Sequence, residues 1–352
     1  TTDLSVQATA AGTYLLRVQG NAAVPITYQF QATHTPATPV ASSGFGADTT
    51  VVLGMGETEM LNFTNTAGRL VMFDGMSSRF QVPTFDVVLD AGQVYQLRDL
   101  DYDPHDVTGT VVTSDKPVAV FGSHLCTFLP SGYGFCDHLV DQMPPTSAWG
   151  REFVTVPLAT RTKGDTFRFL AQADNTEIRV DGALVATLDR GEFHERILTA
   201  AAEVSATRPI LVAQYSNSSD YDGVTSDPFM MLIPPYEQFL AGYTVTTPAM
   251  GFDRHFINLV VPSDGVGGVT LDGTAVAAGD FTPIGASGFS GAQVEVVAGT
   301  HQLAGALPFG VFIYGFAQYD SYGYTGGQSL SPVALASNIT LTPPTATLPL
   351  GQ

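Results

Sequence analysis

Apolar and polar residues alternate with a period of two along most of this chain. The strings Gly12-Thr-Tyr-Leu-Leu-Arg-Val-Gln-Gly20 and Ile26-Thr-Tyr-Gln-Phe-Gln-Ala32 are bounded by turn formers, which predicts half-buried strands. Phe85-Asp-Val-Val-Leu89, Phe153-Val-Thr-Val156, Phe167-Arg-Phe-Leu170, Glu177-Ile-Arg-Val180 and Val294-Glu-Val-Val297 predict more of them. Helical turns are expected only within 200–203 and 234–241. The predicted class is all-β, built as tandem β-sandwich-like repeats.

The repeat comes from markers recurring in one order. Lys116-Pro-Val-Ala-Val-Phe-Gly122 corresponds to Arg208-Pro-Ile-Leu-Val-Ala-Gln214. Asp137 stands seven residues before Pro144-Pro145, and Asp227 seven before Pro234-Pro235. Phe167-Arg-Phe-Leu…Val180-Asp-Gly182 matches Phe256-Ile-Asn-Leu…Leu271-Asp-Gly273. The offsets are 92, 90 and 91 (208 − 116, 234 − 144 and 272 − 181). Each Pro is expected to open its apolar strand at the first residue or on an edge. The Asp-Gly pairs supply the positive φ that tight hairpins need.

A third, truncated copy opens at Leu307-Pro-Phe-Gly-Val-Phe-Ile-Tyr314. The expected division is an N-terminal β segment (1–34), a linker (35–48), a β-rich lead-in (49–110), repeat 1 (111–206), repeat 2 (207–305), closing strands (306–336) and a Thr/Pro-rich tail (337–352). The N-terminal segment resembles, through Ala11-Gly12-Thr13-Tyr14-Leu15-Leu16-Arg17-Val18, the end of a bacterial pre-peptidase C-terminal-type domain. The tail is similar to the first strand of a bacterial Ig-like repeat. An incomplete unit at each end suggests a cut from a longer array. The alternative is that the end strands complete a neighbouring copy by β-augmentation.

Charge changes the list of partners. Fourteen Lys and Arg oppose 33 Asp and Glu, a net −19, and only Lys116 and Lys163 are lysines. Such a chain repels phosphate backbones and anionic lipid, so neither nucleic acid nor membrane insertion is expected. No apolar run reaches the roughly 18 to 20 residues of a membrane span. Low charged content with abundant Gly and Pro fits an extracellular or cell-surface β-protein.

Longer strings carry a family resemblance. Val112-Thr-Ser-Asp-Lys-Pro-Val-Ala-Val-Phe-Gly-Ser-His-Leu-Cys126, Cys136-Asp-His-Leu-Val-Asp-Gln-Met-Pro-Pro-Thr-Ser-Ala-Trp-Gly150 and Asp227-Pro-Phe-Met-Met-Leu-Ile-Pro-Pro235 are the stretches concerned. Through them residues 85–325 resemble the N-terminal domain family of the IgG Fc-binding protein, which also occurs in bacterial surface proteins. The resemblance implies an extracellular, non-catalytic domain associated with binding or adhesion.

Candidate chemistry is sparse. Cys126 and Cys136 flank a Gly-rich loop and are expected to form a disulfide in an exported protein. With His124 and His138 they also offer four zinc ligands; the family match at both cysteines supports the disulfide. Asp99, Asp101, Asp103 and Asp106 place alternate carboxylates where calcium could sit, although Pro104 stands where such a loop needs Gly. Ser219-Asp-Tyr-Asp-Gly-Val-Thr-Ser-Asp227 is a second calcium candidate, and no other cofactor is expected. Asp137 and Asp227 are read as turn-capping residues. Tyr319, Tyr322 and Tyr324 form a candidate aromatic ligand surface. Asn62-Phe-Thr, Asn217-Ser-Ser and Asn338-Ile-Thr fit the N-glycosylation pattern.

Gly-x-Ser-x-Gly, His-Glu-x-x-His and P-loop patterns do not occur. The expected function is a non-catalytic binding or adhesion module of a large surface protein, taking a protein or glycan ligand. Two alternatives are a fibre or surface-layer subunit joined to copies of itself through terminal strands, and an accessory domain of a secreted enzyme.

Overall fold

A computed structural model describes residues 41–43, 49–54, 59–64, 72–73, 84–98 and 107–333, with side chains for 86–97 and 107–333. The 1–34 segment, most of the linker, the 337–352 tail, the side chain of Asn62, Asn338, and Asp99, Asp101, Asp103 and Asp106 lie outside the described residues.

The strands follow the sequence in three blocks. The first holds β1 (Ala41–Ser43), β2 (Thr49–Gly54), β3 (Glu59–Thr64), β4 (Met72–Phe73), β5 (Thr84–Leu89), β6 (Val94–Arg98), β7 (Val111–Ser114), β8 (Val118–Thr127) and β9 (Asp137–Gln142). The second holds β10 (Gly150–Thr155), β11 (Asp165–Ala171), β12 (Thr176–Val180), β13 (Ala183–Leu188), β14 (Phe193–Leu198), β15 (Ala202–Tyr215), the one-turn helix α1 (Ser219–Asp222) and β16 (Met230–Ile233). The third holds β17 (Leu240–Thr246), β18 (Arg254–Pro262), β19 (Thr270–Leu271), β20 (Thr274–Ala275), β21 (Thr282–Pro283), β22 (Phe289–Val296), β23 (Thr300–Ala317) and β24 (Asp320–Thr325).

Among the described residues they form four sheets. Sheet I runs β1-β7-β3-β5 and sheet II runs β4-β6-β2-β8-β9. Sheet III runs β13-β12-β15-β11-β14, with β10 and β16 also on β15. Sheet IV runs β20-β19-β23-β18-β22-β21, with β17 and β24 also on β23.

The short apolar runs have their explanation in how these sheets stack. Successive side chains of a strand point to opposite faces. In β15, Ile210 and Val212 enter one core while Leu211, Ala213 and Tyr215 enter another. In β16, Met231 and Ile233 join the first, and Met230 and Leu232 the second. Sheet III is therefore apolar on both faces. One face packs on Leu89, Leu97, Val112, Val120 and Leu139 from the first block. The other meets Phe256, Val260, Phe312, Tyr314 and Phe316 of sheet IV. Sheet IV repeats the arrangement, because Ile257, Leu259, Val311 and Ile313 point away into a third core with Tyr243, Val245 and Leu303.

Pro117 stands immediately before β8, as expected, but the other two repeat prolines differ. Pro209 and Pro308 lie inside the long strands β15 and β23 rather than at their first residues. Residues 202–206 of β15 run between β10 and β12, whereas 210–215 run between β11 and β16. Residues 300–304 of β23 run beside β17 and β19, whereas 312–316 run between β18 and β24. Each Pro falls where the strand changes partners, so its missing N–H breaks no ladder.

Local markers behave alike in both halves. Asp181-Gly182 and Asp272-Gly273 all take positive φ (48°, 78°, 51° and 79°). Asp181 Oδ1 accepts from Glu203 N at 3.0 Å, and Asp272 Oδ1 from Gln302 N at 2.8 Å, fastening each hairpin to its long strand. Each Pro-Pro pair leads into a 3-10 turn, Thr146–Ala148 or Tyr236–Gln238. The second turn supplies the helical character expected within 234–241. The 200–203 segment instead enters β15. Helix α1 was not anticipated; its sequence Ser-Asp-Tyr-Asp gives no apolar period.

Polar side chains stitch the cores. Tyr314 donates to Asn258 Oδ1 at 2.7 Å and accepts from Ala159 N at 2.8 Å. Asn217 Nδ2 donates to Gly164 O at 2.9 Å, and its Oδ1 accepts from Thr166 Oγ1 at 2.6 Å. Asn217 is fully buried, so a glycan on that nitrogen and the folded state exclude each other. Asp165 Oδ2 accepts from Leu158 N (2.7 Å) and Gln214 Nε2 (2.9 Å), while its Oδ1 has no hydrogen-bond partner in the protein.

Two predictions follow from this buried chemistry. Tyr314→Phe strands the Ala159 N–H and the Asn258 carbonyl, so urea unfolding should show a loss of about 1–3 kcal/mol. Burial pushes the Asp165 carboxyl up to about 7, against its bonds from Leu158 and Gln214, and pushes Asp141 up to about 6. Both values lie above the roughly 3.9 of an unfolded aspartate. Their stabilising contribution is full below pH ~4 and is lost as pH rises through about 6 to 7. Calorimetric Tm should therefore fall between pH 4 and 7.5, and Asp165→Asn should flatten that slope. A wild-type slope in the Asn variant contradicts the assignment.

Candidate binding surface

The loop between β8 and β9 is the most heavily anchored irregular segment near exposed aromatics. Cys126 and Cys136 are joined by a disulfide with Cα atoms 5.1 Å apart. Their sulfurs are thus not thiolates for zinc, which corrects the metal alternative. His124 Nδ1 accepts from Cys126 N at 3.0 Å, and His138 Nδ1 meets Asp137 Oδ1 at 3.0 Å.

Inside the closed loop Leu129 is buried in the second core. Leu129 N donates to Ser218 Oγ at 3.1 Å, and Ser218 N returns a bond to Leu129 O at 2.6 Å. Gly134 N donates to Asp220 Oδ2 at 3.2 Å, and the Tyr133 ring meets Tyr221 edge-on at 4.9 Å. Helix α1, which supplies those partners, is itself pinned. Arg161 and Asp222, both with fully buried side chains, pair at 2.8 Å, and Thr162 N donates to Asp222 Oδ2 at 3.0 Å. Lys163 Nζ donates to Tyr221 O at 2.7 Å.

A third segment joins from the β23–β24 turn. Tyr319 stacks on Phe135 with ring centroids 5.3 Å apart. Phe135 and Tyr319 have φ of 67° and 59°, a left-handed conformation that costs a bulky residue roughly 1–2 kcal/mol. Both remain exposed, at 47% and 60%. Phe128, Tyr133 and Leu125 are also exposed at 50%, 39% and 69%. These large apolar side chains are exposed to water, two of them in a backbone conformation unfavourable for bulky residues.

The two ring-bearing turns also carry carboxylates. Asp137 follows Cys136 and Asp320 follows Tyr319. Burial, then the charges of Asp137 and Asp320, push the Asp227 carboxyl up to about 6. Asp227 Oδ1 has no hydrogen-bond partner in the protein. The reading of Asp137 and Asp227 as twin turn-capping residues finds no shared bond: Asp137 opens β9 and its Oδ1 accepts from the adjacent His138 N at 2.7 Å.

The other expected site residues disperse. Tyr322 and Tyr324 pack against the third core. Tyr322 Oη meets His255 Nδ1 at 2.8 Å, and Tyr324 Oη donates to Thr246 O at 2.7 Å. Only Tyr319 of the three reaches the exposed rings. The second calcium candidate is consumed by α1, since Asp220 and Asp222 bond Gly134 and Arg161. Among the described residues no group of three or more His, Cys, Asp and Glu side chains is placed to hold a metal. Residues Phe128, Tyr133 and Phe135 had gone unnoticed; three aromatics inside one cysteine-closed loop were the available signal.

Fold and surface together define an all-β module of stacked sheets presenting a disulfide-closed aromatic loop. The family model described as IgGFc binding protein matches residues 46–315, and the chain belongs to that family. A human IgGFc-binding protein is 29% identical over 264 residues, 71% of this chain. The chain spans about 5% of that relative's length. No solved structure matches the chain. Among the described residues no helix is long and apolar enough to cross a membrane.

The loop crosslink should contribute measurable stability. A closure of ten positions corresponds to about 3 kcal/mol of chain entropy. Guanidinium unfolding with and without reductant, repeated on Cys126→Ser/Cys136→Ser, should show a loss near that size. An unchanged midpoint on reduction contradicts it.

Proposed function

We propose that this chain is a non-catalytic, extracellular binding module of a larger surface protein, holding a protein ligand against the rings of Phe135 and Tyr319. The observation that carries the reading is that stacked, exposed pair in the left-handed conformation. Aromatic anchors on a rigid base lose little conformational entropy on binding and dominate protein interfaces. The family supports a binding role, and the printed name of the human relative makes the IgG Fc fragment the first ligand to try. An adhesive role within a multidomain chain fits a module that spans a small share of its relative. The fibre alternative rests on terminal segments outside the described residues.

The same reading treats 111–206 and 207–305 as duplicated units, with 49–110 leading in and 306–336 closing. Matching Asp-Gly hairpins and Pro-Pro turns support the duplication. The copied unit differs from the packing unit, because the 206/207 boundary lies inside β15.

Surface plasmon resonance with immobilised IgG Fc and a panel of secreted glycoproteins tests the proposal. A protein ligand should bind the wild type, and Phe135→Ser should weaken it by roughly tenfold or more without shifting Tm. Binding that is untouched by Phe135→Ser, Tyr319→Ser and loop reduction overturns this placement of the site.

A further inference from the structure

The chemistry around the exposed rings also narrows what touches them. Resting on the reading of this surface as the binding site, we propose that it accepts an arginine-bearing, cationic segment of a protein partner. Three observations converge on that occupant.

The first is local charge. After burial, the charges of Asp137 and Asp320 both oppose ionisation of Asp227. Asp220 stands at the loop through its bond to Gly134 N. On the basic side, Arg161 is buried against Asp222, and Lys163 is bonded to Tyr221 O with its ammonium 5.4 Å from the Tyr221 ring. His138 Nδ1 also meets Asp137 Oδ1 at 3.0 Å, and among the described residues the carboxylates near the rings still outnumber these basic groups. A ligand carrying positive charge relieves their mutual repulsion, and one carrying negative charge adds to it.

The second is ring geometry. Phe135 and Tyr319 stack at 27° between planes, offering flat aromatic faces on the two turns that also carry Asp137 and Asp320. A guanidinium can lie on an aromatic face while its edge N–H groups reach carboxylates, which a neutral sugar or an ammonium does less well. The chain already uses this arrangement internally. Arg168 lies 4.5 Å over the Phe193 ring while its Nε bonds Glu195 at 2.7 Å. Arg254 lies 4.8 Å over Phe256 and bonds Glu295 through Nε and Nη2 at 2.8 Å each. In both, an exposed strand-face carboxylate and an aromatic ring share one guanidinium. At Phe135 and Tyr319 the ring and carboxylates come without an arginine of their own among the described contacts.

The third is the net −19 of the whole chain, which draws cationic partners from a distance and accelerates their encounter.

Titration calorimetry on the full chain separates this claim from general attraction. The probes are an amidated twelve-residue Arg-Gly repeat, the corresponding Glu-Gly repeat and chitohexaose. The Arg peptide should bind, with affinity reduced roughly tenfold by Tyr319→Ser and by the Asp137→Asn/Asp320→Asn pair. The control pair Asp264→Asn/Asp280→Asn removes the same charge from exposed residues outside the cluster and should change affinity less than about twofold. Equal weakening by both pairs, absence of Arg-peptide binding, or tighter binding of chitohexaose or the Glu peptide overturns the proposal. Should Phe135→Ser abolish a protein ligand that Asp137→Asn/Asp320→Asn leaves unchanged, the binding surface stands and its cationic preference falls.

Discussion

Burial of both faces of the strands at the centre of sheets III and IV is the constraint on which everything else rests. A strand with one wet face alternates polar and apolar residues, whereas one covered on both faces reads as a continuous apolar run. β16 is buried at all four positions, and the last nine residues of β23 are buried without interruption. The first half of each long strand alternates instead. One chain segment therefore serves two environments in succession, and Pro209 and Pro308 mark the transition.

This stacking also explains how segments distant in sequence reach one surface. The Cys126–Cys136 loop extends from sheet II, α1 follows β15 of sheet III, and Tyr319 turns out of β23 of sheet IV. Each is attached to a double-faced strand or to the core beside it. Gly323 shows how tight the assembly is, because the Phe229 ring occupies the place a Cβ would take there. The ring pair inherits its position from sheets that cannot slide without opening a core.

Much of the fold was legible in the sequence. Period two gave the strand class, and the Asp-Gly pairs gave two hairpins in the expected conformation. The Pro residues misled because a proline within a strand normally signals an edge. Here it signals a strand that changes partners, which depends on the third dimension. The site was less legible. Tyr319 stood out, but Tyr322 and Tyr324 share its aromatic character while their hydroxyls bond inward. Phe128, Tyr133 and Phe135 were hidden because the loop's glycines and cysteines drew attention to its covalent closure. The acidic string at 219–227 suggested a cation site, yet a one-turn helix sends its carboxylates to Gly134 and Arg161 separately.

Native-state hydrogen exchange measures most directly whether the sheets form one cooperative stack. If shared cores bind the sheets together, the slowest amides of β11, β15, β16, β18 and β23 exchange only through one global opening and share a single free energy. Amides of Leu129 and Ser218, which join the loop to α1, then lie close beneath that ceiling. Two well-separated free energies, one for sheet III and another for sheet IV, would contradict this account.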